Sequence, residues 1–266
     1  MTPQDHACAA EELFNAEKTG KQIGLLSLRY PDIGMADAYA IQNELLKLKL
    51  SAGRNVVGWK IGLTSKAMQD ALGIDIPDSG ILFDDMAFES GATVPGGRFI
   101  QPRIEAEIAF VMKSALDGAD VTREDVLAAT ECIVPSIEIL DTRIHRTDAA
   151  TGKTRSVFDT ISDNAANAGF VLGQKCHDPE DFDLRWIGAL VFRNGEIDET
   201  GLGAGVLNDP AESVAWLARR MSGYGQRIEP GHIVLSGSFV RPIECPPATE
   251  IHADFGSFGT VDIAFA

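Results

Sequence analysis

The chain has 266 residues, 45% of them hydrophobic, with a formal net charge of −16 and a pI near 4.6. That length and apolar content suffice for a sizeable core in one domain, or one domain with an appendage. An acidic total with no offsetting basic stripe speaks against nucleic acid or an anionic membrane as partner, so an anionic ligand needs local help from a metal or a few arginines.

The N-terminus, MTPQDHACAAEELF, lacks a basic start followed by an apolar run, and no segment approaches the roughly 18 apolar residues of a membrane helix. The expectation is a cytoplasmic protein without a membrane span. His6 to Lys18 reads as a helix, as does Met35 to Leu50, where Ala38, Ile41, Leu45 and Leu48 recur at helical spacing before Gly53. From Val56 the texture changes to short β-like runs separated by Gly, Pro and Asp-rich turns. The chain therefore divides into a helical region over 1–55 and a β-rich region over 56–266.

VVGWKIGL places Lys60 inside an otherwise apolar strand, where an uncompensated ammonium is expensive. Either a plain salt bridge meets it, or it binds a carboxylate or enolate, or its pKa is lowered for proton transfer. Downstream, DIPDSGILFDDM gathers Asp75, Asp78, Asp84 and Asp85 around Gly80 in a turn-rich segment that could cover a site, with Asp78 also readable as a turn former. In RIEAEIAFV, Glu105 and Glu107 share one strand face while Ile104, Ala106, Ile108 and Phe110 share the other. VPSIEILDTR repeats the pattern with Glu138 opposite Ile137 and Ile139. If the two strands adjoin, the three carboxylates form an all-oxygen site suited to Mg²⁺ or Mn²⁺; otherwise they are solvated positions on an acidic protein. His145 lies in a polar loop beside Arg143 and Arg146, and is either solvent-exposed or part of a cationic grip on a substrate carboxylate.

The four cysteines, Cys8, Cys132, Cys176 and Cys245, show no CxxC spacing, which fits free thiols in a reducing compartment and offers no zinc site. Asn194-Gly195 is a two-residue hairpin signal. GLGAGV, from Gly201, lacks the strand-to-helix context of a dinucleotide fingerprint and reads as a loop. NDPAESVAWLARRM reads as a helix with Asp209 as N-cap, Pro210 at the first position and Glu212 completing a capping box. Ser236 and Ser238 in SGSFV lack a nucleophile elbow, and His232 and His252 sit in β-like surroundings where a structural role is the commoner one.

GWKIGLTSKAM, PDSGILFDDM, RIEAEIAFV, PSIEILDTR, FDTISDNAANAG and VLSGSFVRPI, in this order, resemble the hydratase and decarboxylase family of meta-cleavage pathways, within the fumarylacetoacetase-like superfamily. The likeness spans roughly residues 10 to 266. It implies an α+β fold, mainly a β mixed-sheet roll of the fumarylacetoacetase C-terminal-domain type with a helical N-terminal region. It also implies Glu105, Glu107 and Glu138 as ligands of Mg²⁺ (or Mn²⁺), Lys60 at the oxo-acid end of the substrate, and Asp78 as acid-base residue. Gly80, Ser162, His145 and Arg155 complete the expected substrate contacts, the last two for a second carboxylate. The implied activity is hydration of a seven-carbon 2-oxo dicarboxylic acid, 2-oxohept-4-ene-1,7-dioate, by a homo-oligomer. Hydration of 2-oxopent-4-enoate, decarboxylation of 4-oxalocrotonate or another carbon–carbon lyase reaction, and a non-catalytic partner of an active paralogue are the alternatives. Two positions depart from the family pattern: Ser79 replaces the usual Tyr, with a possible effect on packing or water access near Asp78, and Trp59 precedes the lysine.

Overall fold

The computed structural model describes residues 1–66, 69, 70, 74 and 76–266, so Asp75 and the Ala67-Met68 pair of the motif after Lys60 lie outside the described residues. Three helices open the chain: α1 (Pro3–Thr19), α2 (Leu26–Arg29) and α3 (Met35–Ser51). Thr2 and Asp5 form a capping box on α1, and Gly20 ends it in the left-handed conformation. Apolar residues of α1 and α3, including Leu13, Ile41 and Leu45, pack with Ile144 into a cluster of their own. Between them a buried Lys49 ammonium lies 2.7 Å from Glu17.

Among the described residues that follow, the strands form two sheets. The larger has the order β2-β1-β10-β5-β6-β7-β3, with β11 also paired to β5. Its strands are β1 (Val56–Gly62), β2 (Asp78–Phe83), β3 (Ala87–Glu89), β5 (Arg103–Met112), β6 (Thr130–Leu140), β7 (Asn167–Leu172), β10 (Ile233–Leu235) and β11 (Ile243–Glu244). The smaller has the order β4-β13-β12-β8-β9, from β4 (Ala92–Val94), β8 (Gly188–Arg193), β9 (Glu196–Leu202), β12 (Thr249–Asp254) and β13 (Thr260–Phe265). Pairing is mixed: β1 with β10, β3 with β7 and β4 with β13 run parallel, and the other pairs antiparallel. Helices α4 (Arg123–Ala129), α5 (Val157–Ser162) and α6 (Pro210–Ser222) lie outside the sheets.

Alternation in β5 and β6 decides where the core sits. Ile104, Ala106, Ile108 and Phe110 face Ile137 and Ile139, together with β12, β13 and the apolar face of α6, in the principal core. Their opposite face is apolar at one end, where Ala109, Cys132, Val134 and Phe170 cluster, and acidic at the other. The β8–β9 hairpin turns at Asn194 (φ 53°) and Gly195 (φ 84°), both left-handed as a type I′ turn requires.

Three sequence expectations change. Cys132 and Cys176 form a disulfide that ties β6 to the segment after β7, leaving Cys8 and Cys245 as the free thiols; linear spacing hid this because the chain between them, a separation of 44 in sequence, returns by way of β7. Asp209 caps α6 through Ala211 N–H and Pro210 sits at the first turn, but Glu212 closes no capping box and instead leans toward Arg219. Asp78 opens the buried strand β2, and Asp84 and Asp85 lie in a 3-10 turn beyond it, not in a cover over a site.

β2 is the edge of the large sheet, and its free side is closed by a side chain. Asn164 accepts from Ile81 N–H at 2.8 Å and donates to Ile81 C=O at 2.9 Å, acting as one more rung of sheet. Asn164, Ala165 and Ala166 all hold positive φ (53°, 52° and 60°), a conformation that costs free energy in non-glycine residues and persists only where surroundings enforce it. The Asn164→Ala variant leaves both Ile81 groups buried and unpaired, and should lose about 2–4 kcal/mol in urea unfolding; a loss within 0.5 kcal/mol would show that the clamp does not hold β2.

Candidate active site

Register between β5 and β6 builds the centre of the site. Glu105 stands directly opposite Glu138, and Glu107 opposite Ser136. The acidic residues therefore share one face of adjacent strands, with ligand oxygens of all three carboxylates within 4.8 Å of one another. Glu107 and Glu138 are fully buried. Each spends one oxygen on the protein: Glu107 Oε2 accepts from Gly237 N–H at 2.8 Å, and Glu138 Oε1 accepts from Asn167 Nδ2 at 2.7 Å. The other oxygens, Glu107 Oε1 and Glu138 Oε2, have no hydrogen-bond partner among the described residues. Buried, unpartnered oxygens from Glu107 and Glu138, converging with the half-buried Glu105, are the donor set of a hard divalent cation, so Mg²⁺ or Mn²⁺ fits.

Without a cation the three groups resist ionisation. Burial and then the charge of Glu138 push Glu105 up to about 8, and burial with both neighbouring glutamates holds Glu107 well above the usual carboxylate range. Burial also raises Glu138, against the pull of Lys60 and Asn167.

Lys60, on β1, reaches this cluster from the side, its Nζ 3.3 Å from Glu138 Oε1. Burial pulls the ammonium down, but without a cation Glu138, Asp78, Glu105 and Glu107 together outweigh it and hold its pKa raised. Asp78 of β2 pairs in register with Gly62, and Lys60 with Gly80. Both glycines clear space: a Cβ on Gly80 would meet Asn164 O at 2.6 Å and Lys60 Cγ at 3.1 Å, and one on Gly62 would sit against Asp78 Oδ1 and 2.9 Å from Lys60 Nζ. Asp78 is buried, its Oδ1 has no hydrogen-bond partner among the described residues, and burial raises its pKa in spite of Lys60.

These groups open onto a cavity of about 430 Å³, whose wall includes Lys60, Asp78, Glu105, Arg155 and Ser238. Not all sequence candidates reach it. His145 is exposed and absent from the lining, because its loop turns the imidazole outward while the backbone pairs with Ile23. Ser162 is buried within α5, its hydroxyl spent on Phe158 C=O at 2.8 Å. Gly80 contributes clearance behind Lys60, not a wall. Ser79 points to the opposite side of β2 from Asp78, where its N–H meets the Tyr39 hydroxyl of α3 at 3.2 Å, so the family departure there does not open the cavity. His232 accepts from Trp59 Nε1 at 3.3 Å and from Glu229 N–H at 3.1 Å, and His252 pairs with Asp262, both away from the cavity. Trp59 is held there, facing away from Lys60.

Four contributors escaped the sequence reading. Gly237 and Asn167 are the donors that aim Glu107 and Glu138, and Arg103 and Arg241 line the cavity mouth. A signal for Arg103 was present, since it lies two residues before Glu105 and thus on the same strand face.

No family model matches the chain. It is 49% identical over 260 residues to the 2-oxo-hept-4-ene-1,7-dioate hydratase of Escherichia coli, covering 98% of this chain and 97% of that protein. It is 40% identical over 265 residues to the 2-keto-4-pentenoate hydratase of Paraburkholderia xenovorans (strain LB400), covering 100% and 96%. Among solved structures, 4-oxalocrotonate decarboxylase from Pseudomonas putida G7, complexed with magnesium and adipate, superposes with a TM-score of 0.94 at 32% identity, over 100% of this chain and 99% of that one. The fold is thus fumarylacetoacetase-like, and the site has the make-up of a divalent-metal enzyme. The chain belongs to the family of 2-oxo-4-enoate hydratases and 4-oxalocrotonate decarboxylases.

The raised carboxylates give a pH test of the centre in the presence of chelator. Glu105 titrates near 8 when folded against an ordinary value of 4.5, so between those values the folded chain binds more protons and stability falls as pH rises. In chelator, urea midpoints should decrease from pH 5 to pH 8; Mg²⁺ should flatten the slope and Glu105→Gln should reduce it, and a flat profile in chelator would refute the picture.

Proposed function

We propose that this protein is a metal-dependent hydratase that adds water to 2-oxohept-4-ene-1,7-dioate, giving 4-hydroxy-2-oxoheptanedioate in aromatic meta-cleavage degradation. The convergence of Glu105, Glu107 and Glu138 beside Lys60 and Asp78 carries the reading, and the Escherichia coli relative supports the choice of substrate. Glu105, Glu107 and Glu138 hold the cation, which when bound supplies a Lewis acid for negative charge developing at the 2-oxo group.

The chain's own groups do the rest. Lys60, a buried ammonium beside Glu138, binds the oxo-acid end and offsets charge gathering there. Asp78 Oδ1, buried and unpartnered, takes the proton from C3 and delivers it to C5, moving the double bond into conjugation with the ketone. Its raised pKa suits both halves of that transfer. Water then adds its oxygen at C4 and a proton at C3, so the product differs from the substrate by one water. Exposed Leu190, Ile197 and Leu202 on the β8–β9 hairpin support the homo-oligomeric part of the reading.

Decarboxylation is the second reading, favoured by the 0.94 superposition on a decarboxylase. The test is ultraviolet loss of the conjugated dienol with Mg²⁺, followed by product analysis. Hydration predicts fast loss without carbon dioxide; release of carbon dioxide assigns the decarboxylase instead. Asp78→Asn should lower kcat by about 10²- to 10⁴-fold with KM little changed, and Glu105→Gln should abolish the Mg²⁺ dependence.

A further inference from the structure

The cavity is acidic at one end and cationic at the other. Along the β5–β6 face the row that contains Glu107 with Ser136 and Glu105 with Glu138 continues to Arg103 with Leu140. Arg103 is thus one strand repeat outward from Glu105, about 6.6–6.8 Å along the strand, a span of the same order as an extended seven-carbon chain. Arg155 lines the same cavity from the segment before α5.

The charges there do not balance. Arg103 Nε lies 2.6 Å from Glu244 Oε1, but the same oxygen also accepts from Arg146 Nη1 at 2.6 Å. Arg155 is half-buried and has no carboxylate within 4.0 Å among the described residues; its guanidinium donates to the hydroxyl of Thr142, 2.8 Å from Nη1. Glu199 also lines the cavity, but Arg241 neutralises it. Of the three guanidiniums that line the cavity, Arg241 is paired with Glu199, Arg103 shares Glu244 with Arg146, and Arg155 has no carboxylate partner among the described residues, in a chain whose net charge is −16. A half-buried guanidinium without a carboxylate is unfavourable, and an anionic ligand is the group that would complete it.

We propose that Arg103 and Arg155 bind the second carboxylate of a dicarboxylic substrate and set the preference for diacids over monoacids. Thr142 acts as a positioning residue: it is buried, its hydroxyl is fixed by donation to Ile144 C=O, and it accepts from the Arg155 fork. Glu244 holds Arg103 and Arg146 together without cancelling them. The inference rests on the hydratase reading for the orientation of the oxo-acid end, but the cationic mouth can be tested without turnover.

The experiment is calorimetric titration of the Mg²⁺-loaded enzyme with 2-oxoheptanedioate and 2-oxopentanoate, saturated probes that lack the reacting double bond. The wild-type enzyme should bind the diacid more tightly by about tenfold or more. In Arg155→Met and Arg103→Met that affinity ratio should fall by about tenfold each. Thr142→Val should lower the ratio and Thr142→Ser should restore it, which loss of folding would not produce. A wild-type ratio near one, or variants that weaken both probes equally, overturns the assignment. A diacid preference lost in the variants, in an enzyme that hydrates no dienoate, would uphold the cationic subsite while overturning the hydratase reading.

Discussion

Mutual repulsion among three converging carboxylates, two of them fully buried, is the constraint around which this structure is arranged. Antiparallel pairing places Glu105 against Glu138, and strand alternation adds Glu107 two residues along the same face. Like charges so close in a low-dielectric interior cannot all ionise unaided. What the protein supplies is partial compensation: one hydrogen bond each to Glu107 and Glu138, and one ammonium at 3.3 Å. Two oxygens are left over, and they define the cation site.

Much of the surrounding architecture holds these few groups in place. β1 and β10 run parallel, which sets Lys60 beside Leu235 and brings Gly237, just past the end of β10, to Glu107. The left-handed run from Asn164 to Ala166 turns the chain so that Asn164 closes the β2 edge while Asn167 meets Glu138. Asp163, one residue before, is buried against Arg143 and anchors that turn to the loop after β6. Strain in the turn is thus tied to the position of both Asp78 and Glu138.

Charge is graded along the cavity. Carboxylates with a single ammonium occupy the inner end and guanidiniums the outer one, so the site has a polarity that matches a molecule carrying an oxo acid at one terminus and an anion at the other. The acidic surface of the whole chain makes that cationic mouth a local feature with its own cause.

The sequence by itself determined the helices, the strand alternation and the acidic triad, because period and side-chain chemistry are local properties. Glu105 and Glu107 had to share a face once the segment was a strand, and Asn194-Gly195 had to turn. Lys60 was legible as an anomaly, since an ammonium among Trp59 and Ile61 needs an anion wherever it lies. What only the tertiary structure decided was which distant segments meet: the register that sets Glu138 opposite Glu105, the return that joins Cys132 to Cys176, and the loop path that turns His145 outward while Arg155 faces in. Those outcomes follow from pairing between strands and loops far apart in the chain, where no local periodicity carries the register. Gly237 and Asn167 were hidden for the same reason, as their roles exist only through the carboxylates they reach across the sheet.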